Sequence, residues 1–207
     1  MSKRPHSETE EATIISTPSN GNPSLRDKVA IITGSGNGIG KATAKAMSDA
    51  GAKVVVSDVL ENDGIQTVSE IVAAGGDAIF VKADVSNADD CKSLVESAVQ
   101  KFGRLDILVN NAGIGGSKVR LHEVEPEDFD RVINVNLRGC FLMSKYAIPH
   151  FLKQHDGRII NIASTYGLIG APKATAYCAS KGGIINLTRQ MTVDYGPDNI
   201  RVCAVCP

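Results

Sequence analysis

Apolar and polar positions change their rhythm repeatedly along this chain. Short β-branched runs alternate with stretches in which apolar residues recur three and four apart. "VAIIT", Val29–Thr33, predicts a first strand, and a helix follows from about Gly38 to Ala50, closed by Gly51. Lys53–Ser57 predicts the second strand, and the next helix places Ile65, Val68, Ile71 and Val72 on its apolar face. Ala78–Ala83 is the third strand. Ser86 and Asp89 then make a capping-box-like start to a helix with the stripe Leu94, Val95, Ala98, Val99 and Phe102. Leu105–Asn110 reads as the fourth strand, and Pro126 opens a helix running toward residue 154. Arg158–Ala163, a helix over Ala176–Asp194, and Arg201–Cys206 complete the pattern.

Strict alternation of strand and helix predicts an α/β fold whose parallel sheet is covered on both faces. Right-handed crossovers make a doubly wound, Rossmann-like sheet of six strands the economical topology. Ligands of such sheets sit at the carboxyl ends of the strands. Residues 1–24 show no such rhythm. Rich in Ser, Thr, Glu and Pro, they read as a disordered tail ahead of one domain over residues 25–207.

Composition narrows the function classes. A net charge of -1 on 207 residues gives no footprint for nucleic acid or an anionic membrane. The apolar runs are strand-sized, too short to span a bilayer. The five cysteines, Cys91, Cys140, Cys178, Cys203 and Cys206, are an odd set, and residues 1–24 lack an apolar signal core. Reduced thiols in the cytoplasm are expected. Cys203 and Cys206 have redox spacing, but in a strand they face opposite ways. His6, His122, His150 and His155 show no ligand spacing, so no metal is expected. The sequon at Asn186–Thr188 falls inside a predicted helix and is read as chance.

Candidate chemistry begins where the first strand ends, in "TGSGNGIG", Thr33–Gly40. Gly34, Gly38 and Gly40 give G-x-x-x-G-x-G rather than the commoner G-x-G-x-x-G. Either spacing lets a pyrophosphate approach the backbone at a helix N-terminus. Ser35, Asn37 and Ile39 are the remaining candidate cofactor contacts of this turn, and a merely tight strand–helix turn is the plain alternative. Asp58, 18 residues beyond Gly40, suits a carboxylate that accepts hydrogen bonds from the adenosine ribose. It would repel a 2′-phosphate, and neither Asn37 nor Val59 is a cation that would receive one. NAD is expected in preference to NADP.

In "YCASK", Tyr177 and Lys181 stand one helical turn apart, on one face. A free phenol ionises near pH ~10, so about one in a thousand is charged at neutral pH. The spacing alone is a weak signal that chance also produces; to make the phenol an acid and base, a lysine, a bound nicotinamide's positive charge and partial burial would together have to stabilise the phenolate.

These residues resemble those of the short-chain dehydrogenase/reductase family, from about Lys28 to the end of the chain. Thr33–Gly40 resembles the family's cofactor turn, Asp84-Val85 its adenine-contacting strand end, and "NNAG", Asn110–Gly113, its stretch against the cofactor, with Asn111, Ala112 and Gly113 as contacts. "VNLRG" carries the family's asparagine at Asn136, and "NIAS" carries its serine at Ser164, thirteen residues before Tyr177. "IRVCAVCP" resembles its sixth strand, with Cys203 where asparagine is common.

The resemblance implies hydride exchange between NAD(H) and a secondary alcohol or ketone. In it Tyr177 is acid and base, Ser164 bonds the carbonyl oxygen, and Lys181 holds the nicotinamide ribose and lowers the tyrosine pKa. Asn136 holds a water that links Lys181 to solvent. It also implies a homodimer or homotetramer. Family members continue past the sixth strand with a lid and a seventh strand, so the chain ending at Pro207 is expected to lack its substrate cover. That keeps open a rival, a nucleotide-binding or interaction protein without turnover. A methyltransferase would share the glycine turn and Asp58, but it leaves Tyr177 and Lys181 without a purpose.

Overall fold

The central strands are apolar on both faces, and this dictates the layers. In the computed structural model, which describes residues 24–207, every residue of β1 (Val29–Thr33) is buried. So is all of β2 (Lys53–Asp58) after its first residue, and all of β4 (Ile107–Asn110). A strand buried on both faces needs a helix layer on each side. The predicted tail, 1–24, falls outside the described residues apart from Ser24.

With β3 (Ala78–Lys82), β5 (Gly157–Ile162) and β6 (Ile200–Val205), these strands form one all-parallel sheet in the order β3-β2-β1-β4-β5-β6. The doubly wound expectation is met. β1 alternates across it. Val29 and Ile31 face a core with Leu94, Leu108, Met143, Phe151 and Ile159, supplied by α3 (Ala88–Phe102), α5 (Gly139–Gln154), β4 and β5. Ala30 and Ile32 face a second core with Val54, Val56, Ala44 and Ile71, under α1 (Gly38–Asp49) and α2 (Glu61–Ala73). α6 (Thr175–Tyr195) adds Met191 to the first core and, with Ile184 and Ile185, builds a third patch on Cys140 and Ala163.

Three local expectations change. The apolar face of α2 is only half as expected: Ile71 is buried and Val68 packs on the second core, but Ile65 is 48% and Val72 53% exposed, and Gly64 and Thr67 are buried instead. Gly64 lies so close over the Phe80 ring that a Cβ would fall 2.1 Å from Cε2. A stripe read from hydrophobicity cannot see a glycine contact. α3 is capped by Asn87, whose Oδ1 accepts from the Asp89 and Asp90 amides, while the Ser86 hydroxyl donates to Asp84 Oδ1. The long helix after Pro126 is α4 (Pro126–Ile133), one π turn over Asn134–Arg138, then α5. Single π turns interrupt helices frequently at functional sites.

Ion pairs tie the two helices of one layer together. Glu70 of α2 accepts from Lys41 at 2.6 Å and Lys45 at 2.8 Å, both on α1. Those bonds, Lys41's first, hold the Glu70 carboxyl down at about 2. A carboxyl held below its unfolded value stabilises the fold above that value and stops doing so as pH falls through the folded one. The stability difference between wild type and Glu70→Gln is therefore expected at neutral pH, and is expected to shrink as pH falls from about 4.5 toward 2. Urea unfolding of both proteins across that range checks it.

Candidate active site

At the carboxyl end of β1 the chain turns into α1 through two residues in the left-handed region, Gly34 (φ 61°) and Gly38 (φ 54°). A Cβ on Gly38 would meet nothing within 4 Å, so the backbone there faces open space. α1 starts at this point with Asn37 as N-cap. Asn37 makes no side-chain cap bond, and no acidic residue lies in the first turn. The amides that begin a helix and lack a side-chain acceptor attract an anion.

The turn is clamped from the next strand. Asn111 Nδ2 donates to the Thr33 and Gly34 carbonyls, each at 2.9 Å. Thr33 Oγ1 accepts from the Asn111 and Ala112 amides, each at 3.1 Å. Gly40 completes the clamp, since its Cβ would lie 2.2 Å from the Gly34 carbonyl oxygen and 2.4 Å from Asn111 Nδ2. Ser35 turns the other way. Fully buried, its hydroxyl donates to the Ile32 carbonyl at 2.6 Å and accepts from the Ser57 amide at 3.0 Å, bolting β1 to β2.

Asp58, 9% exposed, ends β2 beside this turn. Its Oδ2 accepts from the Gly36 amide at 2.9 Å and its Oδ1 from the Leu60 amide at 3.0 Å. These bonds fix the carboxylate's orientation. Past β3, Asp84 Oδ1 accepts from both the amide and the hydroxyl of Ser86.

The other half of the site comes from α5, α6 and the end of β5. Lys181 is 3% exposed and donates from Nζ to the Ile162 carbonyl at 2.6 Å. Its burial pushes the ammonium's pKa down from the ordinary lysine value. The amine lies 5.5 Å from the centre of the Tyr177 ring. Tyr166 meets that ring edge-on, with centroids 6.4 Å apart. Ser164, 8% exposed, accepts at Oγ from the Tyr166 amide. Asn136 sits in the π turn. Its Oδ1 accepts from the Ile114 amide at 2.8 Å, and its Nδ2 donates to the Ile114 carbonyl and to Ser180 Oγ, both at 3.0 Å. None of these side-chain bonds goes to Lys181, although Asn136 Oδ1 and Lys181 Nζ both lie close to Gly113.

One cavity of about 810 Å³ joins the two halves. Gly34, Asn37, Gly38, Ile39, Asp58, Asp84, Val85, Asn111, Ala112, Gly113, Ser164, Tyr177 and Lys181 all line it. Ser35, Gly40 and Asn136 stand behind its wall rather than in it. Sequence reasoning passed over Val135, Arg131 and the Ile162 carbonyl, which also line it, and the clamp role of the Thr33 hydroxyl. The one available signal was spacing: Arg131 and Val135 lie four residues apart on a helical segment, hence on one face.

Among the described residues no group of three His, Cys, Asp or Glu side chains could hold a metal ion, and no helix is long and apolar enough to cross a membrane. Burial pushes the Cys91 and Cys140 thiols up to about 12, which leaves them poor nucleophiles.

An open glycine turn at an uncapped helix start and a tyrosine–lysine pair share one cleft of a doubly wound sheet, an arrangement suited to an oxidoreductase with a nicotinamide cofactor. Comparison with known proteins agrees. A family model described as short chain dehydrogenase matches residues 28–207. An uncharacterized oxidoreductase of Thermotoga maritima is 46% identical over 88% of this chain and 72% of its own length. The 2-(S)-hydroxypropyl-CoM dehydrogenase 3 of Xanthobacter autotrophicus is 43% identical over 88% of this chain and 71% of its own. The crystal structure of an NAD+-bound xylitol dehydrogenase superposes with a TM-score of 0.87 at 34% identity, over 89% of this chain and 71% of that one. The chain belongs to the short-chain dehydrogenase family, oxidoreductases that act on CH–OH groups.

Gly40→Ala tests the clamp. Its methyl cannot fit between the Gly34 carbonyl and Asn111 without moving the turn, so a loss of about 1–3 kcal/mol of stability is expected, the usual cost of overpacking. Chemical unfolding measures it. No change would mean that the turn yields freely.

Proposed function

We propose that the chain interconverts a secondary alcohol and a ketone with NAD(H), using Tyr177 as acid and base. The observation that carries this reading is the sharing of one cavity. Ser164, Tyr177 and Lys181 line the same cleft as the glycine turn and Asp58. The residues fit a dinucleotide on the structure's own terms. The turn is open where Gly38 lacks a Cβ, the start of α1 has no side-chain cap, and a carboxylate faces the cleft from the end of β2. The nicotinamide, when bound, supplies or takes the hydride.

The chain's own residues do the rest. Tyr177 gives a proton to the substrate oxygen in reduction and takes it in oxidation. Ser164 donates a hydrogen bond to that oxygen as it gains negative charge. The positive charge of Lys181 stabilises the negative charge left on the phenol oxygen, and its amine serves the nicotinamide ribose. Asn136 holds the Ile114 segment and Ser180 in place around that amine, and the site for a relay water is assigned to its neighbourhood. Asp58 binds the adenosine ribose hydroxyls and disfavours a 2′-phosphate. The free cysteines suit a reducing compartment, here taken as the cytoplasm.

Fluorescence titration with NADH and NADPH, followed by turnover assays over a panel of secondary alcohols and ketones, tests the reading. Tyr177→Phe is expected to abolish turnover while NADH binding stays within a few-fold. Equal loss of both would make Tyr177 a structural residue, and binding without turnover by wild type would favour the non-catalytic reading. Asp58→Ala is expected to weaken NADH more than NADPH. An unchanged preference would sink the ribose assignment.

A further inference from the structure

α6 carries Tyr177 and Lys181, and two buried hydrogen bonds join it to β5. One is made by the lysine itself, Nζ to the Ile162 carbonyl at 2.6 Å. The other runs from Asn161 Nδ2 to Thr188 Oγ1 at 2.8 Å. Asn161 and Ile162 are adjacent on β5. Lys181 and Thr188 are seven residues apart, two turns along one face of α6. The two bonds therefore act as two pins along one helix–strand seam.

The second pin is anchored from three sides. Asn161 Oδ1 accepts from Asn110 Nδ2 on β4 at 2.9 Å and from Cys140 Sγ on α5 at 3.3 Å. Asn110 Nδ2 also donates to Ser144 Oγ at 3.2 Å. Thr188 Oγ1 donates in turn to the Ile184 carbonyl at 2.8 Å. Asn161 and Thr188 have no polar atom to spare for another orientation. The network has one cost: Asn110 Oδ1 is buried with no hydrogen-bond partner among the described residues. An apolar filling of the same shape would avoid that cost. What an apolar filling would not supply is direction: the bonds from Asn161 to Thr188 and from Lys181 to the Ile162 carbonyl each fix a distance and an angle between α6 and β5.

We propose that Asn161 and Thr188 are positioning residues, which set the height and rotation of α6 on β5 and so hold Lys181 and Tyr177 opposite Ser164. The proposal rests on the catalytic reading of those three residues. With the second pin cut, the lysine's own bond is the one side-chain hydrogen bond left between α6 and β5 among the described residues, and the remaining contacts there are apolar and without direction. Neither positioning residue lines the large cavity, so neither touches substrate or cofactor.

Thr188→Val keeps the side-chain shape and removes the acceptor, while Thr188→Ser restores it. The primary readout needs no substrate. In protein carrying [13Cε]lysine, the Lys181 resonance, identified by its loss in Lys181→Met, is titrated with pH. The titratable groups around Lys181 are Tyr177 on its own helix, Cys140 on α5 and Cys206 after β6. In Thr188→Val, a helix freed to shift lets water reach the amine. The Lys181 midpoint then rises toward that of exposed lysines, and Thr188→Ser returns it to the wild-type value.

If the panel of alcohols and ketones yields a substrate, kcat falls roughly tenfold in Thr188→Val, while NADH binding, which Lys181 serves as one contact among several, weakens by no more than a few-fold. A displacement smaller than 1 Å is enough for that. A wild type without turnover counts against the proposed function and leaves the lysine titration standing as its own test. The proposal is overturned if Thr188→Val lowers the melting temperature but leaves the Lys181 midpoint untouched, or if Thr188→Ser moves it as far as valine does. Should Thr188→Val fail to fold, Asn110→Ala, which removes one anchor of Asn161 from the far side, is judged by the same midpoint.

Discussion

The cleft exists because β1 and β4 are neighbours in the sheet yet send their chains to opposite faces. α1 leaves β1 toward the side shared with α2, and the chain after β4 leads to α4 and α5 on the other side. Between two chains that part in this way a crevice opens, the switch point at which doubly wound sheets bind their ligands. The crevice would also be a weak point, since the backbone there has lost its ladder partners. Thr33 and Asn111 repair it with four hydrogen bonds across the gap. Their side chains complete the pairing that the strands cannot, and the cavity wall on this side depends on them.

The half of the cleft that holds Tyr177 and Lys181 has a different foundation. No loop fixes Tyr177. It rides on a long helix whose depth is set by what lies beneath it. Burying Lys181 disfavours its charge, and the Ile162 carbonyl offsets part of that cost. The π turn at Asn134–Arg138 brings Asn136 to Ser180, the residue before Lys181, so α6 is braced from the α4–α5 side as well. Tyr177 and Lys181 therefore sit on a rigid element rather than on a loop, which holds their positions to a small geometric tolerance.

Architecture was legible in the sequence wherever a local rule operates. β1 and β2 announce themselves because strands buried on both faces must be apolar and favour β-branched residues, and all six strands fall within one or two residues of their predicted limits. The rule fails where burial depends on a partner. α2 turns Gly64 and Thr67 inward and leaves Ile65 and Val72 in water, because the shape of Phe80 opposite decides the contact. Ser35 shares the glycine turn with Gly34 and Gly38, yet it serves the β1–β2 seam. Position in a motif says nothing about which way a side chain points.

By itself the sequence determined the order of elements, the parallel sheet, and the residue types that must meet for the chemistry, because each follows from spacing along the chain or from a family pattern of fixed spacing. Only the tertiary structure decided which of those residues face the cavity and which stand behind it. Asn136 sits behind the wall holding Ile114, Ser35 is turned into the sheet, and Asn161 and Thr188 form a buried junction from residues that are 27 apart in the chain. Orientation and long-range hydrogen bonding arise from packing between elements, and no local pattern encodes them.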